Sequence, residues 1–305
     1  MTERPRAVQV AAQAKINLRL RVIAQESSGY HQVETLLLRL ELADEIRVRL
    51  TSGERTLDVS GSDAGAIAPV EMNLAWRAAE AYFAASESRG GFAIELTKRI
   101  PIGGGLGGGS ADAAAVLRAL DAMADVPIGE PMLLGLAGRL GADVPFLATE
   151  HAYALAWGRG DRMVALTPPP ARGAMLIVPP FGVNTAEAYG WLDGLRESMP
   201  GGLGVPSLAL QLEALSDWER LAPLMENDFW SVVQERHPEI DDYLGALRSL
   251  GLRALMSGSG STCVGVGDMD DANPNWRRDD RSRREGGRTI LTRTATRVEP
   301  LQRIE

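Results

Sequence analysis

The sequence predicts an α+β protein in two layers, and three observations carry that reading. Segments that alternate apolar and polar residues, the mark of half-buried strands, are interleaved with segments of helical period. The strands read as antiparallel, because they alternate where a parallel sheet would show continuous apolar runs. A proline cluster, "TPPPARG" at 167–173, then divides the 305 residues near the middle. At roughly 150 residues per domain, this predicts an N-terminal domain over 1–166 and a C-terminal domain over 167–305.

The elements follow in order. Residues 8–23 alternate as a strand or strand pair, with Lys15 and Asn17 on one face and Ile16 and Leu18 on the other. A polar turn is expected over 26–35. A strand over 36–50 follows, broken near Ala43–Asp44, and then a hairpin or loop over 51–70. Leu74, Ala78 and Tyr82 share a stripe of a helix over 73–86. Phe92, Ile94 and Leu96 alternate in a strand that stops at Pro101, and helices are expected over 110–124 and 129–140. Strands fill 151–166 and a buried strand begins at Ala174. Helices are predicted over 185–195, 208–221, 228–237 and 239–250. Residues 252–267 read as strand, glycine-serine loop, strand. The segment 268–287 reads as loop or frayed helix, and 288–298 as a last strand.

Composition narrows the function. A net charge of -8 opposes a nucleic-acid partner. The nine arginines between Arg277 and Arg303 are interleaved with acids and read as a solvated segment. No apolar run approaches the ~20 residues of a membrane helix, and no targeting segment is evident. One cysteine, Cys263, excludes an internal disulfide and fits a reducing cytoplasm. Among 32 basic residues only Lys15 and Lys98 are lysine. A chain that writes arginine elsewhere keeps lysine where a compact point charge is wanted.

"IPIGGGLGGGSADAAA", residues 100–115, follows a strand and opens a helix, with six glycines among Gly103–Gly109. Glycine lets backbone N–H groups face a phosphate, and a helix N-terminus adds positive potential. A Walker loop would end in Gly-Lys-Ser/Thr, which is absent. Gly103, Gly105 and Gly108 satisfy the dinucleotide spacing, but the preceding strand alternates, and the carboxylate expected about 20 residues on, after a second strand, would fall in helical or loop text. Protein-kinase signatures are absent.

The loop resembles the second motif of the small-molecule kinase superfamily that includes galactokinase, homoserine kinase, mevalonate kinase and phosphomevalonate kinase. "AKINLRL" at 14–20 resembles the first motif and "SGSGSTCVGV" at 257–266 the last. "SGYHQVETLL" at 28–37 and "LGADVPFL" at 140–147 resemble the branch that phosphorylates a cytidine-diphosphate-linked methylerythritol, a step toward isoprenoid precursors outside the mevalonate route. The resemblance implies a ribosomal-protein-S5-like ATP domain followed by a ferredoxin-like substrate domain. It implies ATP as phosphoryl donor with Mg²⁺, no nucleic-acid or membrane partner, and a monomer or weak homodimer. Other readings are a sister kinase with a different alcohol, and a nucleotide-binding module without turnover.

The resemblance also assigns roles. Asp143 is implied as the catalytic aspartate and Lys15 as the lysine beside it. An aspartate can accept or orient a hydroxyl proton, and a lysine can steady charge on the transferred oxygen. Without the motif, Asp143 reads as a turn capper. Asn17 is implied at the polyol, and Tyr30 and His31 at the cytidine end. Thr185 and Tyr189, one helical turn apart, are implied around the base. On the ATP side stand Asn73, Lys98, Pro101, Gly103, Gly104, Gly105, Leu106, Gly107, Gly108, Gly109 and Ser110. Asn73 and Ser110 also suit helix N-caps. Asp112 reads as a residue that favours the helix dipole. His151 and His237 lack metal-ligand spacing, and no metal ligand is legible.

Overall fold

The computed structural model describes residues 6–61, 69–86, 88–198, 210–268 and 287–304. Its frame is a long antiparallel hairpin of β1 (Ala7–Gln25) and β2 (His31–Thr51). The turn between them spans only 26–30, closed by Glu26 N–H donating to the Tyr30 carbonyl at 2.7 Å. The second half of β2 pairs with β4 (Gly91–Lys98), which pairs in parallel with β3 (Arg55–Gly61). The first half of β2 pairs with β5 (Tyr153–Gly158), and β5 with β6 (Arg162–Ala165). Four helices pack with this sheet: α1 (Leu74–Ala85), α2 (Gly108–Met123), α3 (Glu130–Leu140) and α4 (Val144–Ala148). α2 is buried nearly all round, and its alanines let neighbours approach closely.

A second sheet, antiparallel, has the order β11 (Arg288–Arg293), β7 (Gly173–Val178), β10 (Cys263–Gly267), β9 (Arg253–Met256). With it come α5 (Thr185–Glu197), α6 (Trp218–Leu221), α7 (Trp230–Gln234) and α8 (Glu239–Ser249). The second half also returns to the first sheet. β8 (Glu226–Asn227) and β12 (Gln302–Arg303) both pair with β1.

Two apolar cores result. Ile16, Leu18, Leu38, Ile46, Tyr82 and Phe146 belong to the first. Met175, Ile177, Leu192, Phe229, Leu244 and Met256 belong to the second, together with Leu20, Val22 and Val33. The hairpin thus runs from one core into the other and carries Lys15 and Asn17 to the seam.

Several expectations change. β2 starts at His31 and is one strand through Ala43–Asp44, although its register against β1 shifts just there, Ala43 lying opposite Gln13 and Arg39 opposite Lys15. An aspartate disfavours a strand, but the buried Asp44 carboxylate is satisfied by the backbone N–H groups of Arg99 and Ile100 and by Lys98. The irregularities lie in β1 pairing, at Gln13/Lys15, Asn17/Arg19 and Val22/Ala24. The helix expected over 208–221 is a 3₁₀ turn at 212–216, then α6, then a second 3₁₀ turn at 222–224. Asp217 breaks it by accepting from Glu219 N–H at 2.9 Å and Arg220 N–H at 3.0 Å, which starts a new helix. The helix over 228–237 shortens to α7, because Asp228 instead accepts from the Val22 N–H. The last strand stops at Arg293, where Thr294 N–H donates to the Arg172 carbonyl at 2.9 Å. Most of 268–287, and part of 51–70, lie outside the described residues.

Candidate active site

The glycine loop joins β4 to α2 and sits between two other segments. On one side, the Lys15 backbone N–H donates to the Leu106 carbonyl at 3.0 Å. On the other, Ser257 Oγ donates to the Gly105 carbonyl at 3.1 Å and Thr262 N–H to the Gly104 carbonyl at 3.2 Å. Gly105 and Gly107 need to be glycine, with φ of 76° and 71°. A Cβ at Gly105 would strike the Ser257 carbonyl, and one at Gly107 would lie 2.9 Å from Lys15 Cγ.

Gly107 in the left-handed conformation is the N-cap of α2, which starts at Gly108. Ser110 is therefore inside the first turn and does not cap the helix. The first helical bond belongs to Ala111 N–H, which donates to the Gly107 carbonyl. The N–H groups of the first turn are left for another acceptor. They border a cavity of about 270 Å³ lined by Gly103–Gly109 with Asn73, Lys98, Pro101 and Asp112. Asn73 caps α1, accepting from Ala75 N–H at 2.9 Å. A larger cavity of about 500 Å³ lies away from the loop, among Arg21, Leu192, Arg196 and Leu244.

Lys15 Nζ lies 3.1 Å from Asp143 Oδ2 and donates to Asn17 Oδ1 at 2.8 Å. Asn17 Nδ2 in turn donates to Thr35 Oγ1 at 2.7 Å. Lys15 is buried, whereas the Asp143 side chain is 34% exposed, so one carboxylate face stays open beside the loop. Asp143 precedes α4 without capping it through its side chain. The capping alternative is therefore excluded, and the carboxylate is free for other work.

The two lysines flank adjacent glycines. Lys98 Nζ would lie 3.4 Å from a Cβ on Gly108, as Lys15 does beside Gly107. Lys98 differs in its partners: it is held by Asp44, and by Asp112 at 2.7 Å. Burial pulls its ammonium down, but the two carboxylates more than offset this and its pKa stands above the usual lysine value. Burial raises the Asp112 carboxyl to about 8, against the pull of Lys98. Asp112 thus pairs with Lys98 where a dipole role alone was expected.

At the far end of the hairpin, the His31 and Tyr189 rings stack at 4.2 Å. His31 Nε2 is 2.9 Å from Asp193 Oδ1 and 3.0 Å from Oδ2. Tyr189 packs edge-on against Phe229, and burial raises its phenol to about 12. Tyr30 is 60% exposed, with the Arg159 guanidinium over its ring at 4.2 Å. Thr185 Oγ1 and Ser259 Oγ are 2.9 Å apart, tying the start of α5 to the C-terminal glycine loop. His237 stacks on Phe181, and the His151 carbonyl accepts from Arg39.

Two family descriptions match the chain: GHMP kinases N terminal domain over residues 73–151, and GHMP kinases C terminal over 211–277. A curated 4-diphosphocytidyl-2-C-methyl-D-erythritol kinase of Pelotomaculum thermopropionicum is 39% identical over 287 residues, 93% of this chain and 96% of that one. The chain belongs to the 4-diphosphocytidyl-2-C-methyl-D-erythritol kinase family. A relative of the same name from Nocardia farcinica is 36% identical over 88% of this chain and 87% of its own. A solved 4-(cytidine 5'-diphospho)-2C-methyl-D-erythritol kinase is 35% identical, with a TM-score of 0.73 over 94% of this chain and 99% of that one. A homoserine kinase from Cytophaga hutchinsonii, 17% identical with a TM-score of 0.65, shares the fold. The α+β, two-domain fold of these kinases is the one observed.

This member of the kinase family also uses residues that sequence reading passed over. Arg39 is 2% exposed. Its NH2 donates to the carbonyls of Phe146, Leu147 and Thr149 at 2.9–3.1 Å, and its Nε to that of His151 at 3.0 Å. It thereby ties off the end of α4, the helix that follows Asp143. Burial and the nearby Arg118 pull its guanidinium down to about 9, which leaves it charged at neutral pH. A lone arginine in the apolar run "LLLRLEL" was the available signal. Arg39→Met is expected to cost about 3 kcal/mol or more, since each buried acceptor left unpaired costs about 1–3 kcal/mol; urea unfolding checks this. Asn227 was also missed. Its Nδ2 donates to the carbonyls of Met256 at 2.7 Å and Gly258 at 2.8 Å, behind the C-terminal glycine loop.

Proposed function

We propose that this protein transfers the γ-phosphoryl group of ATP to the 2-hydroxyl of 4-diphosphocytidyl-2-C-methyl-D-erythritol, in the cytoplasm, for isoprenoid precursor biosynthesis outside the mevalonate route. The observation that carries the reading is the Lys15–Asp143 pair at 3.1 Å, lodged against Gly107 where the glycine loop opens α2. The family membership of the chain supports the choice of acceptor.

Phosphoryl transfer depends mostly on positioning and on stabilising charge on the transferred group. In this reading the first-turn N–H groups of α2 hold phosphate oxygens, with Asn73 and Pro101 toward the nucleoside. Asp143 accepts or orients the acceptor hydroxyl proton. Lys15 keeps Asp143 ionised and faces the transferred oxygens. Asn17, fixed by Lys15 and Thr35, bonds the polyol. Tyr30, His31, Thr185 and Tyr189 receive the cytidine end, and Asp193 fixes the His31 ring. The Ser257–Thr262 segment, bonded to the glycine loop, closes the site from the second sheet. The working unit is a monomer or weak homodimer.

Magnesium bound with ATP supplies neutralisation of phosphate charge. The residues present fit it: among the described residues no group of three or more His, Cys, Asp or Glu could enclose a metal, but Asp112 has a buried carboxylate oxygen without a partner.

The test is ADP formation with the diphosphocytidyl acceptor, with mevalonate and homoserine as controls. Turnover is expected with the first alone, and its absence would sink the reading. Asp193→Asn, which loosens His31, is expected to raise the KM for the diphosphocytidyl acceptor by about tenfold, the worth of roughly 1.4 kcal/mol. The KM for ATP should stay unchanged in the same assay.

A further inference from the structure

The pocket under the glycine loop brings two buried carboxyl groups, Asp44 and Asp112, to one ammonium. Among the described residues Lys98 is the cation paired with both Asp44 and Asp112, and all three residues are at most 5% exposed. Asp44 is saturated, because Oδ2 takes Lys98 and Oδ1 takes two backbone N–H groups. Asp112 is not. Its Oδ2 accepts from Lys98 at 2.7 Å, while its Oδ1 is buried without a hydrogen-bond partner among the described residues. A buried acceptor in that condition calls for an occupant.

Asp112 lines the same cavity as Gly103–Gly109, and Lys98 Nζ lies beside Gly108. A polyphosphate alone brings this unpartnered acceptor only further acceptors. A divalent cation arriving with the phosphates would pair both. Magnesium takes one or two carboxylates together with phosphate oxygens and waters, without an all-protein cage.

We propose that Asp112 Oδ1 is the protein's ligand to the divalent cation that accompanies ATP, with Lys98 gripping Oδ2 to hold the carboxylate in place. The proposal rests on the ATP reading above. A proton is the other occupant that this oxygen can take, and an asparagine would replace a protonated acid well.

The experiment compares ATP affinity with Mg²⁺ and with excess chelator, in wild type and in Asp112→Asn, by calorimetry. Wild type should gain about tenfold or more from the metal, within the range of linked sites. The variant should lose most of that gain, and should bind metal-free ATP at least as tightly as wild type. A variant that keeps the full gain overturns the proposal. Electron-nuclear double resonance on Asp143→Asn protein with Mn²⁺ and ATP, its aspartate carboxyl carbons labelled with carbon-13 and the open carboxylate beside the loop removed, tests the ligand even if the Asp112 variant fails to fold. A carbon coupling is expected, and its absence overturns the assignment. Wild type that binds ATP under neither condition overturns the ATP reading itself, a result distinct from metal-independent binding.

Discussion

Asp143→Asn is expected to lower kcat by about 10²–10⁴-fold, the usual worth of a positioned acid or base. The fold should survive, because the side chain is 34% exposed and makes no capping bond to α4. The amide keeps the shape of the carboxylate but accepts no proton at neutral pH and attracts Lys15 weakly. ATP affinity should change little, since the glycine loop and the first turn of α2 remain as they are. Equal losses in kcat and in kcat/KM for the acceptor would mark an interaction made mainly in the transition state. Steady-state kinetics on the purified variant, with thermal unfolding as the folding control, supplies the numbers. Undiminished turnover would remove Asp143 from the chemistry.

Lys15→Met is the second large effect, expected at about 10²–10³-fold in kcat, as when a preorganised charge stabiliser is deleted. Methionine matches the stem, so the packing of Lys15 against Gly107 is kept. Two things are lost: the cation 3.1 Å from Asp143, and the donor that holds Asn17 Oδ1 at 2.8 Å. Some increase in acceptor KM should accompany the fall in kcat, because Asn17 is no longer fixed. Lys15→Arg should not rescue. Lys15 Cγ sits against Gly107, and Nζ would lie 3.6 Å from a Cβ on Gly258, so the passage suits a single ammonium better than a planar fork. The same kinetic comparison over the three proteins checks this, and recovery in Lys15→Arg would contradict it.

The parts of the site legible in the sequence are those that local chain geometry writes into short stretches. Strand, glycines and helix start fall within residues 91–123, so the phosphate loop could be read directly. The scarcity of lysine singles out Lys15 and Lys98 from the sequence alone. The same reading could not separate the two, since Lys98 is engaged by Asp44 across 54 positions of chain. Only the pairing of β2 with β4 brings them together. Asp44 itself misled: as an aspartate in a strand it suggested a break, because its compensating backbone donors are equally distant. Arg39 and Asp193 were missed for the same reason, with partners about 110 and 162 positions away. Local capping also ran against the sequence reading. Ser110 has the right chemistry for an N-cap, yet Gly107 takes the position because a left-handed residue there turns the loop onto the helix. The helix read over 208–221 failed where Asp217 caps a new, short helix within the apolar pattern.

Phosphorus NMR of the wild-type protein with ATP, Mg²⁺ and 4-diphosphocytidyl-2-C-methyl-D-erythritol tests the central claim most directly. A new phosphomonoester resonance should grow in step with ADP and should be nearly absent with Asp143→Asn. Loss of ATP to inorganic phosphate without a new phosphomonoester, or equal product from the variant, would contradict transfer through the Lys15–Asp143 pair.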